Sequence, residues 1–279
     1  MLREKKDLSD SFLIKPLRGW AAINILEVWG YRELLFFLIW REVKVRYKQT
    51  VLGVLWAVIQ PFLMMVIFTL FFGRFIEVSS EGIPYPLFSY SALLPWMLFT
   101  ESVNRSISSL VQDTNLLKKI YFPRLIMPLA GVLSPLVDFA FAFFVFAIMM
   151  FYFGFIPSAR ILLLPVFLLL SLLTALSVGL WLSALNVQYR DIRYAVPFLL
   201  QFWFFCSPVV YSSASLPKSW QLFYSLNPMV GVIEGFRWCL LGGRPPSALL
   251  FISITIVLLI LVSGGFYFRR MEKTFADVA

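Results

Sequence analysis

The run from Val51 to Gly73 contains no charged side chain, and neither does the run from Ile161 to Tyr189. A helix crosses the hydrocarbon core of a bilayer with about 20 predominantly apolar residues. Backbone groups there must be paired within the protein, which leaves helices and closed barrels as the only spanning structures. Uncharged runs of this length therefore read as spanning helices. Four more stretches are nearly as apolar: 87–111, interrupted by Glu101 and Arg105; 125–155, interrupted by Asp138; 194–211; and 247–268. The chain as a whole is 60% hydrophobic and 14% charged, against about half and about a quarter in a soluble domain. The expected fold is an all-α integral membrane protein with six transmembrane helices, spanning at about 51–73, 87–111, 125–155, 161–189, 194–211 and 247–268. Residues 1–50 form a cytoplasmic segment, 51–268 the transmembrane domain and 269–279 a cytoplasmic tail.

A seventh apolar stretch, Ser219 to Ile233, is short for a crossing and holds Asn227, Pro228 and Gly231. It suits an external re-entrant pair of short helices between spans five and six. Charge placement supports that count, because basic residues concentrate on the cytoplasmic side of membrane proteins. Six crossings put eighteen of the 24 Lys and Arg inside, in the N-terminal segment, the loops around Lys119 and Arg193, and the tail. Only Arg74, Arg160, Lys218, Arg237 and Arg244 then fall outside. A seventh span would carry the basic C-terminus out. The formal charge of +9 thus reads as the signature of a membrane protein with both termini cytoplasmic, and not as a nucleic-acid surface. No short apolar core with a small-residue cleavage site marks a signal peptide. Cys206 and Cys239 suit small apolar fillers.

Three segments carry mechanistic potential. From Tyr31 to Thr50, Phe36, Trp40, Val43 and Tyr47 fall on one helical face and Arg41, Lys44 and Lys48 on another, with Arg46 nearby. This is the pattern of a helix lying among lipid headgroups, where cations meet phosphates. It serves either as a generic anchor or to receive an anionic, lipid-linked substrate. The loop Gln112 to Arg124 is expected to form a short helix through Leu116, Leu117, Ile120 and Tyr121, capped by Asp113, Thr114 or Asn115 and stopped by Pro123. It is a docking element for a partner or a turn on the membrane surface. The tight turn at Tyr189, Arg190 and Asp191 is a second contact or a topology signal. Inside the spans, Glu101 and Arg105 are four apart and neutralise each other on one helical face. Asp138 has no local partner. Intramembrane charges are costly and usually face a bundle interior or a watery path, so these three are channel candidates.

The sequence has no histidine, which removes histidine bases and histidine-ligated zinc. It has no Gly-Lys pair, hence no G-x-x-x-x-G-K-[ST] phosphate loop. No catalytic or metal-binding set is expected, and this polypeptide is not expected to hydrolyse ATP by itself.

Several motifs in order carry a family resemblance over about residues 30–270. They are REVKVRYKQT at 41–50, with Leu52, Gly53, Trp56, Gln60 and Pro61; NLLKKIYFPR at 115–124; Tyr189 to Asp191; and Ser207 and Pro208 with Asn227, Pro228, Glu234 and Arg237. Together they resemble the polysaccharide-export permeases of the type 2 ABC exporter family. The resemblance implies a homodimer with two ABC ATP-binding subunits, which use ATP and Mg to drive a lipid-linked polysaccharide outward. O-antigen-like cargo leads, with teichoic acid and capsular polysaccharide as close alternatives. It implies that Asn115, Leu116, Leu117, Lys118, Lys119, Ile120 and Tyr121 couple to the ATPase. Two readings from other classes stay open on the residues alone: a self-sufficient secondary transporter or flippase, and a membrane-embedded enzyme of glycan assembly.

Overall fold

A computed structural model describes residues 25–48, 53–113, 116, 119, 121–189, 191–215, 217–272 and 275. Among these the chain is helical, with no strand. Helices α1 (Ile25–Gly30) and α2 (Arg32–Lys48) precede the bundle. Helix α3 (Leu55–Phe68) continues into a π-helical segment, Thr69–Phe75. Then follow α4 (Tyr85–Gln112), α5 (Ile126–Leu133) and α6 (Leu136–Tyr152). A 3-10 turn at Ala159–Leu163 leads into α7 (Leu164–Gln188), followed by α8 (Ile192–Phe205). A short pair, α9 (Lys218–Ser225) and α10 (Pro228–Leu241), precedes α11 (Leu250–Met271). Four stretches are long and apolar enough to cross a membrane: Leu55–Phe75, Ile126–Tyr152, Ala159–Gln188 and Leu250–Met271.

Helix α4 differs from these four. Its 28 residues reach ~42 Å at about 1.5 Å per residue, but Glu101, Arg105 and many serines make it too polar to face lipid all round. The bundle resolves this by enclosing it: α3, α5, α6, α7, α8 and α10 all pack against it. Ser89, Ser91, Ser102, Ser106 and Ser109 are buried, and such small side chains let helices approach closely. Backbone meets backbone at α5, where a Cβ on Gly131 would lie 2.8 Å from the Ser106 backbone nitrogen. No other residue fits at position 131 without moving a helix.

The expected third span is two helices, because Pro135 lacks the N–H that would continue the ladder and its ring clashes with the preceding turn. The expected fifth span, 194–211, is helical only to Phe205, ~21 Å against a hydrocarbon core of about 30 Å. Asn227 explains the break. Its Nδ2 donates to the Cys206 carbonyl at 3.0 Å and to Ser207 Oγ at 2.9 Å, while its Oδ1 accepts from Trp203 Nε1 at 2.8 Å. The same Oδ1 accepts from the Met229 N–H at 3.0 Å, capping α10 behind Pro228 at its first position. One side chain thus ends α8 and starts α10. The seventh apolar stretch is accordingly two helices, but α10 runs on to Leu241 and is mostly buried.

Two cores hold these elements. The larger joins α3, α4, α6, α7, α8 and α10 around Phe88, Tyr90, Phe99, Phe146 and Phe236. The smaller gathers Leu38 of α2, Leu110 of α4, Phe122, Ile126 and Met127 around α5, Ala184 of α7, and Phe268 and Phe275 of the last helix and tail.

Candidate functional site

The inward face of α2 fixes the geometry. Leu38 is buried, with Leu34, Leu35 and Ile39 packed beside it on α5, and one turn on, Ser134 Oγ donates to Glu42 Oε2 at 2.7 Å. This register carries the next turn over the start of α6. Arg46 there forms an ion pair with Asp138, and the Tyr47 hydroxyl donates to the same carboxylate. Asp138 therefore has partners after all, supplied from 91 and 92 positions away, a distance no local reading spans. The register also divides the four cations expected to face lipid phosphates. Arg46 turns inward to Asp138 and Arg41 pairs with Asp113, whereas Lys44 and Lys48 are exposed. Phe36 and Trp40 are exposed as well, so the helix keeps an apolar outer surface beside those lysines.

A cavity of about 190 Å³ lies between α2, α3, α4 and α6. Arg46, Tyr47, Glu101, Arg105 and Asp138 line it, opposite Trp56 and Gln60 of α3. On α4, Arg105 Nε stands 3.5 Å from Glu101 Oε2. Two cations and two carboxylates thus share one small space, whose remaining walls are apolar (Leu94, Met97, Leu98, Phe139). Burial, and then the neighbouring Arg105 cation, hold Arg46 below its ordinary value. All three intramembrane charges singled out in the sequence converge here with one of the α2 cations.

The remaining expected residues lie elsewhere. In the loop after α4, Asn115, Leu117, Lys118 and Ile120 fall outside the described residues. Leu116 and Lys119 have helical backbone, Lys119 is exposed, and Tyr121 is 66% exposed. Asp113 ends α4 and gives its carboxylate to Arg41. The far end of the loop is tied down: the Arg124 backbone N–H donates to Glu272 Oε1 at 3.3 Å, and its guanidinium donates to the Glu272 carbonyl. Arg269 in turn reaches Glu272 at 2.6 Å and Glu27 of α1 at 3.3 Å. In the second turn, Tyr189 and Asp191 are exposed, and Arg190 falls outside the described residues.

A second polar cavity, about 200 Å³, opens at the other end of α4 between the preceding loop, residues 212–214, α9, α10 and the start of α11. From Phe88 to Glu101 along α4, the two cavities are ~20 Å apart. Arg237 forms the floor. Its guanidinium donates to the carbonyls of Val209 at 2.9 Å and of Phe88 and Tyr211 at 3.4 Å each, and it lies 3.6 Å from the Phe88 ring centroid. Burial draws its pKa down to about 9. Glu234 accepts from Ser213, and burial pushes its carboxyl up. Glu81 accepts from Ser212 and faces Arg244 at 3.9 Å. In the sequence, Glu234 and Arg237 belong to a motif, and Arg237 is one of the external cations. Two charges three residues apart inside an apolar stretch were the available signal.

Comparison with known proteins identifies the family. The family model described as ABC-2 type transporter matches residues 33–241. The O-antigen export system permease protein RfbA of Myxococcus xanthus is 32% identical over 254 residues, 89% of this chain and 96% of that protein. The protein of the same name from Klebsiella pneumoniae is 27% identical over 88% of this chain and 95% of its own length. The polysialic acid transport protein KpsM of Escherichia coli is 23% identical over 76% and 81%. With the match covering well over half its length, the chain belongs to the ABC-2 type transporter family.

Proposed function

We propose that this chain is the permease subunit of an ATP-driven polysaccharide exporter of the bacterial inner membrane. It works as a homodimer with two ATP-binding subunits and moves a lipid-linked, O-antigen-like polymer outward. The family and the names of the relatives support the permease role; the O-antigen choice follows the two relatives of highest identity reported above. Six crossings, with both termini cytoplasmic, accommodate the four apolar spans, the enclosed α4 and the shortened α8. The α9–α10 pair then sits on the outer side. The loop from Asn115 to Tyr121, held at Asp113 and Arg124, and the turn from Tyr189 to Asp191 receive the ATPase. No observation favours a self-sufficient transporter or an enzyme.

The inner cavity carries this reading further than topology does. Lys44 and Lys48 meet the phosphate of the lipid carrier at the membrane surface, with Arg41 beside them in its pair with Asp113, and Arg46 with Arg105 receives it in the cavity. A phosphate, like a carboxylate, accepts charge-assisted and often paired N–H bonds from guanidinium, so it competes with Asp138 and Glu101 for these two cations. The test is to co-express the chain with its neighbouring ATP-binding subunit, reconstitute both in vesicles, and add the lipid-linked polysaccharide. Stimulated ATP hydrolysis with polymer delivered to the far side is expected. A permease that binds no ATPase, or a complex indifferent to the polymer, would overturn the reading.

A further inference from the structure

Resting on that exporter reading, we infer that the outer cavity is a binding site for one sugar residue of the polymer as it leaves the protein. Its volume of about 200 Å³ lies below the roughly 300–1,000 Å³ of pockets that enclose drug-sized ligands. That fits one ring, not a run of chain. Its chemistry suits a polyhydroxyl ligand. Glu81 and Glu234 offer carboxylate oxygens to hydroxyl donors, and each now accepts from only a serine hydroxyl among the hydrogen bonds at this site, Ser212 and Ser213 respectively. A sugar hydroxyl replaces a serine hydroxyl like for like. Arg244 stands on the rim, three-quarters exposed, with donors for ring and hydroxyl oxygens. Val230, Leu249 and Leu250 supply apolar wall for the C–H face of the ring.

Two further observations separate this cavity from an ordinary structural polar cluster. Glu81 sits at φ +56° beside Gly82 at +79°, a left-handed conformation uncommon for glutamate and found where the surroundings hold it. The loop thus holds a carboxylate over the cavity where a plain turn would use glycine or asparagine. Arg237 already donates from each of its three guanidinium nitrogens to a backbone carbonyl, so the carboxylates are not held by direct contact with it. Two cations balanced by two carboxylates give the site no net charge with which to draw in an ionised sugar, which suits neutral hexoses.

The experiment uses the reconstituted permease–ATPase complex and a soluble oligosaccharide of one repeating unit, cut from the polysaccharide that the same cells export. Saturation-transfer NMR is expected to show binding to the complex, weakened at least tenfold by Glu81→Gln and by Arg244→Gln, with melting temperature unchanged. Arg244 is on the rim, so its variant folds even where Glu234→Gln does not. Binding that is equal in wild type and both variants, or no binding by a complex that does export, overturns the inference. Failure of the exporter reading is read separately, as absence of ATPase stimulation by the intact lipid-linked polymer.

Discussion

The two cavities along α4 hold the same formal inventory, two arginines and two acidic residues, yet they satisfy it in opposite ways. In the inner cavity charge meets charge: Arg46 with Asp138, and Arg105 with Glu101. In the outer one, Arg237 is held by carbonyls and the carboxylates accept from serines, while the Glu81–Arg244 pair on the rim is long, at 3.9 Å, and largely exposed on the arginine side. Removing one member of an ion pair strands its partner, whereas removing a neutral donor from a carboxylate leaves a gap that another hydroxyl fills. The inner set is therefore suited to changing partners as charged units, and the outer set to exchanging neutral ones.

The sharpest break of this contrast is at Arg237, the one arginine whose contacts are all structural. Arg237→Met takes the donor from the Val209 and Tyr211 carbonyls, weakens the hydrogen bonding of the Phe88 carbonyl, and removes the cation that acts on Glu234. Loss of a buried, hydrogen-bonded charge costs about 3–5 kcal/mol, so the variant is expected to fail to accumulate or to melt far earlier in lipid nanodiscs. Arg237→Lys does not restore it, because one ammonium cannot reach three carbonyls in a fork. Next comes Asp138→Ala, which leaves Arg46 facing Arg105. With both members of the Arg46–Asp138 pair about a fifth exposed, the loss is about 2 kcal/mol. The double variant Arg46→Met with Asp138→Leu recovers most of it, and a double-mutant cycle without positive coupling would erase the distinction between the cavities.

A pH dependence separates them further. Burial raises the Glu234 carboxyl above its ordinary value, so the folded protein binds that proton more tightly than the unfolded chain. Its contribution is full below the ordinary carboxylate range and is lost as pH rises through the raised value. Thermal melts from acid towards neutral pH are expected to show this slope in the wild type. Glu234→Gln removes it, whereas Glu101→Gln, on the inner side, leaves it in place.

The sequence made the helical class legible because uncharged runs longer than a bilayer have few other uses, and it made Glu101, Arg105 and Asp138 conspicuous because charge is rare there. The partner of Asp138 was not legible, since Arg46 and Tyr47 reach it through the packing of α2 on α5, which no spacing encodes. The packing face of α2 was not legible for the same reason: Phe36 and Trp40, on the apolar stripe that periodicity marks, are exposed, and Leu38 between them is the residue buried against α5. The end of α8 was hidden too, because Asn227, twenty residues away, decides where it stops. The outer site was legible only at Glu234 and Arg237 of α10, which a motif carried; Glu81, Ser212, Ser213 and Arg244 join them from separate connecting segments with no common periodicity.

The smallest expected effect on stability is at the Arg41–Asp113 pair, and it tests what the inner region is for. Both side chains are partly exposed, and ion pairs of that kind contribute about 0–1 kcal/mol, so Asp113→Asn is expected to shift the melting temperature by a degree or two at most. The pair nevertheless joins α2 to the last turn of α4, where the chain enters the loop proposed to meet the ATPase. If α2 senses the lipid carrier and that loop receives the motor, the two are joined here by one contact that is cheap to break. Asp113→Asn is then expected to preserve folding and basal ATP hydrolysis while reducing the stimulation by lipid-linked polymer. Lys44→Gln with Lys48→Gln, which touches only the outer surface of α2, serves as the counterpart: it weakens the response at low polymer concentration and leaves the maximum unchanged. Equal behaviour of the two variants would mean that α2 acts as an anchor alone, and that the charges of the inner cavity are held for structure.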